Sequence, residues 1–139
     1  MSVERTFSIV KPDAFAAGHA GEILAAIEKA GFKVLALRTT RLTEAQAEGF
    51  YAVHREKPFF AKLVKFMTEG PIIVMALERE DAVKELREIM GATNPADAAE
   101  GTIRKRFASS IERNCIHGSD APETAAVELS FFFSASELL

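Results

Sequence analysis

His117 is the residue whose type and surroundings most favour catalysis. It lies in the segment Asn-Cys-Ile-His-Gly-Ser-Asp at positions 114–120, between a short apolar stretch and a predicted helix. A neutral imidazole is a nucleophile, and with an unperturbed pKa of about 6.5 most of it is neutral at pH 7. His117 could therefore attack a phosphoryl group without a separate base. An isolated histidine more often only satisfies hydrogen bonds near the start of a helix. The residues around His117 are therefore needed to distinguish a nucleophile from a structural histidine.

Glu128 is the carboxylate best placed to support that histidine. A rotation of about 100° per residue puts it on the flank of the apolar stripe of its predicted helix, where a partly buried carboxylate needs a partner. A hydrogen bond to one ring nitrogen of His117 would fix the tautomer, leave the other nitrogen free to attack, and stabilise the cation that phosphorylation produces. Ser119 could assist Glu128. From the sequence alone, an exposed helix carboxylate without a role is an equally good interpretation of Glu128.

Three cations, Lys11, Arg87 and Arg104, follow or interrupt apolar segments, and two polar residues, Thr93 and Asn114, flank an irregular region. Phosphoryl transfer depends mainly on positioning and on neutralising charge, so three cations around one phosphate chain would suffice. Each cation taken singly is more often a solvated surface charge. The group is a candidate phosphate site only if the fold brings its members together.

Phe59 could offer a flat face to a nucleobase, because stacking needs no base-specific hydrogen bonds. Filling the hydrophobic core is the default role for such a residue. The sequence contains neither of the glycine-rich phosphate-binding motifs, nor the paired motifs of protein kinases. A phosphate site in this chain is therefore of another kind.

Cys115 is the only cysteine, so the chain cannot form an internal disulfide. Its flanks are apolar and no second histidine stands near it in sequence, which argues against a nucleophilic thiol. One cysteine and three well-separated histidines fit no zinc spacing. We therefore expect no metal ligands from the protein itself.

The elements that must position these residues can be predicted from periodicity. Residues 3–10 alternate apolar and polar and then stop at a Lys-Pro-Asp turn, which is typical of a strand. Thr43 and Gln46 have capping-box spacing, and the apolar run 72–77 is typical of a strand covered on both faces. The weakly periodic stretch 92–113 is expected to be functional or to contain short helical turns.

A final helix is predicted over about 122–133, with Asp120 and Glu123 at capping spacing. The full order is strand, helix, strand, two short helices, strand, helix, long loop, strand, helix. Without the inserted helix pair and loop, this is the α+β, ferredoxin-like βαββαβ pattern. We expect a four-stranded antiparallel sheet with helices packed on one face.

Length and composition limit the class of protein. A chain of 139 residues, 48% hydrophobic and 27% charged, predicts a single domain over 1–139. A net charge of −3 makes a primary nucleic-acid role unlikely. No apolar run approaches the roughly 20 residues of a membrane span, and the start lacks the pattern of a secretory signal. We expect a soluble cytoplasmic protein.

The sequence resembles nucleoside diphosphate kinases over essentially its whole length. Five motifs occur in the family's order, and the last contains its active-site signature: 6–13, 49–51, 87–95, 101–104 and 114–120. The resemblance implies the same βαββαβ fold. It also implies reversible transfer of the γ-phosphoryl group of ATP or another nucleoside triphosphate to a nucleoside diphosphate, through a ping-pong cycle with a phosphohistidine on His117. Such an enzyme maintains NTP and dNTP pools.

The resemblance also assigns roles to individual residues. Glu128 and Ser119 match the residues that orient the histidine, and Tyr51 lies beside it. Phe59 would stack on the base with Ile111 at its other face. The remaining matches are phosphate and sugar ligands, namely Lys11, Arg87, Thr93, Arg104 and Asn114. Magnesium would be bound through the nucleotide phosphates, and family members are homo-oligomers, either tetramers or hexamers built from dimers.

Three departures from the family pattern stand out: Ala14-Phe15, Glu112-Arg113 and Cys115. Glu112 adds negative charge near an anion site, so it is expected to weaken nucleotide binding modestly if it faces inward. Cys115, beside the nucleophile, is expected to make activity sensitive to oxidation.

Two other classes of function are compatible with parts of the sequence. A βαββαβ sheet can serve as a non-catalytic nucleotide-sensing module, although such a module has no need for His117, Glu128 and three cations together. The run Arg104-Lys105-Arg106 could contact nucleic acid, but the acidic balance makes that a side activity at most.

Overall fold

The computed structural model describes residues 3–138 and contains one antiparallel sheet. Its four strands are β1 (Val3–Val10), β2 (Lys33–Thr40), β3 (Ile72–Glu80) and β4 (Ile116–Gly118). The strands lie in the order β2-β3-β1-β4, and every neighbouring pair is antiparallel. This arrangement confirms the predicted α+β, ferredoxin-like fold.

Helices connect the strands in the predicted order. Within residues 3–138 they are α1 (Pro12–Ala16), α2 (Ala20–Lys29), α3 (Glu44–Phe50), α4 (Phe60–Met67), α5 (Ala82–Met90), α6 (Ile103–Phe107) and α7 (Pro122–Phe132). Short 3₁₀ turns cover Ala52–His54, Pro95–Asp97 and Ala135–Leu138. The irregular stretch 92–113 thus holds two short helical segments, as expected. None of the described helices has both the length and the hydropathy needed to cross a bilayer.

The sheet is covered on both faces, so the expectation of helices on one face only is wrong. Along β1, Phe7 and Ile9 belong to one core, which includes Leu129 of α7, while Val10 belongs to a second core with Leu86 of α5. Strand β3 contributes to both cores in the same alternating way. The helices inserted between β2 and β3, together with α7, bury the face that a simple βαββαβ pattern would leave exposed.

Local signals set several element ends. The Thr43 Oγ1 atom accepts from Gln46 N at 3.1 Å, and the Gln46 side chain accepts from Thr43 N at 2.9 Å, which confirms the capping box at α3. The expected cap of α7 by Asp120 is wrong. Ala121 occupies the cap position, its N–H donates to Thr124 Oγ1 at 3.1 Å, and Asp120 instead pairs with a guanidinium.

Strand pairing determines where the histidine lies. His117 of β4 is opposite Ile9 of β1, and directly opposite residues share one face of a sheet. The Lys11 N–H donates to Cys115 O at 2.9 Å, so the turn after β1 is bonded to the segment that precedes β4. The sheet therefore brings the two motifs with the most chemistry, 11–13 and 114–120, side by side.

Candidate active site

His117, Glu128 and Ser119 form a hydrogen-bonded chain. The Nε2 atom of His117 lies 2.8 Å from Oε1 of Glu128, and Ser119 Oγ donates to the same oxygen at 2.8 Å. The side chains of His117 and Glu128 are each 18% exposed, so this contact is largely shielded from water. A carboxylate accepts hydrogen bonds, so Nε2 carries the ring proton and Nδ1 keeps its lone pair. Glu128 is therefore a largely buried partner of the histidine and not an exposed helix carboxylate.

Aromatic rings surround the imidazole. The ring centroids of Phe7 and Phe50 lie 5.9 Å and 5.6 Å from that of His117. Tyr51 is buried, and its hydroxyl has no hydrogen-bond partner among residues 3–138. Burial, reinforced by the charge of Glu128, raises the pKa of the Tyr51 hydroxyl far above its ordinary value. Tyr51 is thus a neutral donor beside His117.

A pocket of about 240 Å³ opens in front of the histidine. Among the residues that line it are His117, Glu128, Tyr51, Arg87, Thr93 and Arg104. Arg87 is partly exposed and donates to Asp120 Oδ1 at 3.0 Å. The pocket therefore joins the imidazole to two cations, as a phosphate site requires.

Arg104 is buried and braces the loop around the site. Its guanidinium donates to the carbonyl oxygens of Asn114, Gly91 and Ile116 at 3.3 Å, 3.1 Å and 2.8 Å. A guanidinium has five N–H donors, so two remain for a ligand. Burial lowers the pKa of Arg104, and the charge of Arg87 lowers it further, but arginine remains cationic.

Lys11 is the third cation, and it is also buried. Its Nζ donates to Asn114 Oδ1 at 2.8 Å. Burial, and to a smaller extent the charge of Arg104, lowers the pKa of Lys11 to about 8. Asp13 opposes this shift, and Lys11 remains mostly protonated at pH 7.

A larger cleft of about 600 Å³ lies next to the pocket in front of His117, and Thr93 lines both. Phe59 and Ile111 line the cleft and are 47% and 51% exposed, so Phe59 is not core filler. Lys11 and Asn114 also line it. Glu112 lines the same cleft and adds a negative charge there. An aromatic cleft that continues into a cationic pocket matches the two parts of a nucleotide.

The structure brings all the sequence-predicted residues into one region, and it adds Asp13. The Asp13 Oδ2 atom accepts the Cys115 N–H at 3.1 Å. Only the Lys-Pro-Asp motif pointed to this residue, and no role followed from it. Within residues 3–138, no group of three or more His, Cys, Asp or Glu side chains could hold a metal ion.

The Cys115 thiol does not support the expected sensitivity to oxidation. Its side chain is fully buried, and burial, together with the charge of Asp13, raises its pKa to about 12. A buried neutral thiol reacts slowly with oxidants and alkylating agents. Cys115 instead connects to the turn after β1 through its backbone N–H and carbonyl, and its φ is 64°.

Comparison with known proteins identifies the family. The sequence model of nucleoside diphosphate kinase matches residues 4–138. Nucleoside diphosphate kinases of Nitratidesulfovibrio vulgaris and Azorhizobium caulinodans are 61% and 59% identical, over 99% and 100% of this chain and 99% of each relative. A crystal structure of the Aquifex aeolicus enzyme superposes with a TM-score of 0.97 at 46% identity, covering 99% of this chain and 100% of that one.

The Halobacterium salinarum nucleoside diphosphate kinase, solved in complex with CDP, gives a TM-score of 0.94 at 41% identity. That similarity covers 99% of this chain and 92% of the halophilic one. Fold, site and sequence agree, and the chain belongs to the nucleoside diphosphate kinase family.

Proposed function

We propose that the protein transfers the γ-phosphoryl group of a nucleoside triphosphate to a nucleoside diphosphate through a phosphohistidine on His117. The observation that carries this proposal is the 2.8 Å contact between His117 Nε2 and Glu128 Oε1, because it leaves Nδ1 available at the pocket. The reaction is reversible, since donor and acceptor use the same site in turn. Its role in the cell is to maintain NTP and dNTP pools.

In the first half-reaction, the Nδ1 lone pair attacks the γ-phosphorus. The bond between that phosphorus and the oxygen bridging to the β-phosphate breaks, and the diphosphate leaves with the bonding electrons. His117 becomes positively charged at this moment, and the carboxylate of Glu128 stabilises the Nε2 proton. Ser119 holds Glu128 in position. In the second half-reaction, a terminal oxygen of another diphosphate attacks, and the bond from phosphorus to nitrogen breaks.

The cations neutralise charge that develops on the phosphate oxygens. Arg87 and Arg104 are assigned to the phosphates at the histidine end, and Lys11, Thr93 and Asn114 to the phosphate and sugar in the middle. Tyr51 supplies a neutral hydroxyl beside the imidazole. Magnesium, bound through the phosphates of the nucleotide, would lower their negative charge.

The base is proposed to stack between Phe59 and Ile111. A stacking face accepts purines and pyrimidines, so weak discrimination among nucleotides follows. We also propose that the chain acts as one domain in the cytoplasm, and as a homo-oligomer that is a tetramer or a hexamer built from dimers. Light scattering would distinguish the two oligomers.

The test is the intact mass after brief incubation with magnesium and ATP and removal of nucleotide. The expected result is an acid-labile gain of one phosphoryl group that GDP discharges and that His117→Ala lacks. A matched control is His19→Gln, because His19 packs against Phe107 away from the pocket. If the unaltered protein binds nucleotide but gains no mass, the proposal is overturned in favour of a nucleotide-sensing module.

A further inference from the structure

Two backbone hydrogen bonds tie Cys115 to the turn after β1. Lys11 N donates to Cys115 O at 2.9 Å, and Cys115 N donates to Asp13 Oδ2 at 3.1 Å. Cys115 has a φ of 64°, in the left-handed region that residues with a Cβ rarely adopt. The conformation persists only where the surroundings enforce it. The side chain of Asp13 provides one of the two restraints.

The residues on either side of Cys115 are part of the site. Asn114 accepts from Lys11 Nζ at 2.8 Å, and the carbonyl of Ile116 accepts from Arg104 at 2.8 Å. A change in the conformation of Cys115 would therefore move the ligands of both buried cations, together with the strand that carries His117.

We propose that Asp13 is a positioning residue that holds Lys11 and the segment before His117 in place. The inference deepens the proposed function and rests on it for the role of Lys11. Asp13 is not assigned to contact nucleotide or phosphate. It acts through the Cys115 N–H and through its charge.

The charges around Lys11 support a role for the Asp13 carboxylate in keeping that lysine protonated. Burial and the guanidinium of Arg104, from α6, disfavour the protonated amine and lower its pKa to about 8. Among the groups that act on it, Asp13 is the one carboxylate that raises the pKa, because the Cys115 thiol is neutral below its own pKa of about 12. Glu112 and Lys62 line the same cleft as Lys11 and carry opposite charges. The second oxygen of Asp13, Oδ1, is buried without a hydrogen-bond partner among residues 3–138.

The proposal predicts a shift in pH dependence rather than a general loss. Removal of the negative charge lowers the pKa of Lys11, so the cation is lost at lower pH. Asp13→Asn keeps an oxygen that can accept from Cys115 N–H but removes the charge. Asp13→Glu restores the charge, and Asp13→Ser is a second uncharged variant that retains a short acceptor.

The experiment measures ADP affinity by calorimetry from pH 6 to pH 9.5, and His117 phosphorylation by ATP in the same buffers. We expect the pH at which affinity falls to move down by about one unit in Asp13→Asn and in Asp13→Ser, and to return toward that of the unaltered protein in Asp13→Glu. Glu44→Gln is the matched control, since Glu44 is an exposed first-turn carboxylate of α3. It should leave the profile unchanged.

Coincident affinity profiles for the unaltered protein and a folded uncharged variant would overturn the proposal. A purely structural role would lower the melting temperature without moving the profile. Failure of the proposed function can be distinguished from failure of the Asp13 proposal, because it would appear as absence of His117 phosphorylation in the unaltered protein. The ADP profiles would still decide the role of Asp13 in that case.

Discussion

Arg113 and Glu69 form a two-point ion pair that joins the loop before β4 to the end of α4. Nη1 lies 3.2 Å from Oε1 and Nη2 lies 2.8 Å from Oε2. The guanidinium also lies over the ring of Phe66, 4.8 Å from its centroid. Ile111, two residues before Arg113, and Phe66 both line the cleft of about 600 Å³, so the pair connects two segments that line that cleft.

We predict that Arg113→Ala raises the KM for nucleotides about three- to tenfold, while kcat changes less than twofold. Without this ion pair, the loop that carries Ile111 is no longer bonded to the end of α4, but the pocket in front of His117 is unchanged. The partners are nearly half exposed, so salt screening reduces the effect. Steady-state kinetics at 0.05 M and 0.5 M salt checks this. An unchanged KM at low salt would contradict it.

Glu128→Gln is expected to slow phosphorylation of His117 by about 10²- to 10⁴-fold. The amide can no longer stabilise the charged imidazole, and it can present either a donor or an acceptor to Nε2. Single-turnover kinetics with ATP measures the step. Glu123→Gln, an exposed change in the first turn of the same helix, should have little effect. Equal rates for the two variants would show that Glu128 has no part in the reaction.

Nucleotide affinity should fall as pH rises through about 8, because Lys11 then loses its proton and its attraction for phosphate. The sign follows from the lowered pKa: the cation is nearly complete at pH 7 and mostly lost by pH 9. Lys11→Arg keeps its charge throughout this range, so the fall in affinity between pH 7 and pH 9 should be reduced in that variant. Titration calorimetry with ADP provides the comparison, and a fall of the same size in both proteins would exclude Lys11 as its source.

Gly91→Ala should destabilise the fold by about 2 kcal/mol or more. Gly91 has a φ of 88°, and an added Cβ would lie 2.5 Å from Thr102 Oγ1. Its carbonyl also accepts from Arg104, so activity should fall as well. Gly21→Ala, in open space within α2, is the matched control and should be neutral or stabilising. Urea unfolding of the two variants measures the difference, and equal midpoints would refute the steric argument.

Alkylation of Cys115 by iodoacetamide should be slow at pH 8 and should leave activity intact while the protein remains folded. The thiol is inaccessible and neutral at that pH. Mass spectrometry and activity followed together test this. Rapid modification with loss of activity in the native state would restore the expectation of redox sensitivity.

Much of the fold was predictable because hydrophobic periodicity and capping signals are local. The alternation in β1, the capping box at Thr43 and the apolar run 72–77 each predict an element or its end without knowledge of the rest of the chain. Coverage of the second sheet face was missed because it depends on where α3, α4 and α7 pack, which is a property of the tertiary structure. The cap of α7 was missed because Asp120 has a competing partner, Arg87, distant in sequence.

The residue types of the site were predictable, but their division of labour was not. The short segment around His117 indicates a nucleophile, and the lone cations indicate anion binding. No sequence pattern shows that three N–H groups of Arg104 donate to backbone carbonyls. Nor does any pattern show that Asp13 accepts a hydrogen bond from Cys115, about a hundred positions away. The contacts of Arg104 depend on the path of the chain between α5 and β4, and the contact of Asp13 forms only when β1 and β4 pair.

The pairing of β1 with β4 also determines when the site can form during synthesis. Ser8 Oγ donates to His117 O across 109 positions of the chain, and Glu128 lies further on in α7. Contacts of such separation form late, because closing a long loop costs entropy before any contact is gained. A nascent chain that has not yet released β4 and α7 therefore holds β1 beside β3 but without β4 on its other side. The nucleophile and its carboxylate reach their places only after both β4 and α7 have left the ribosome.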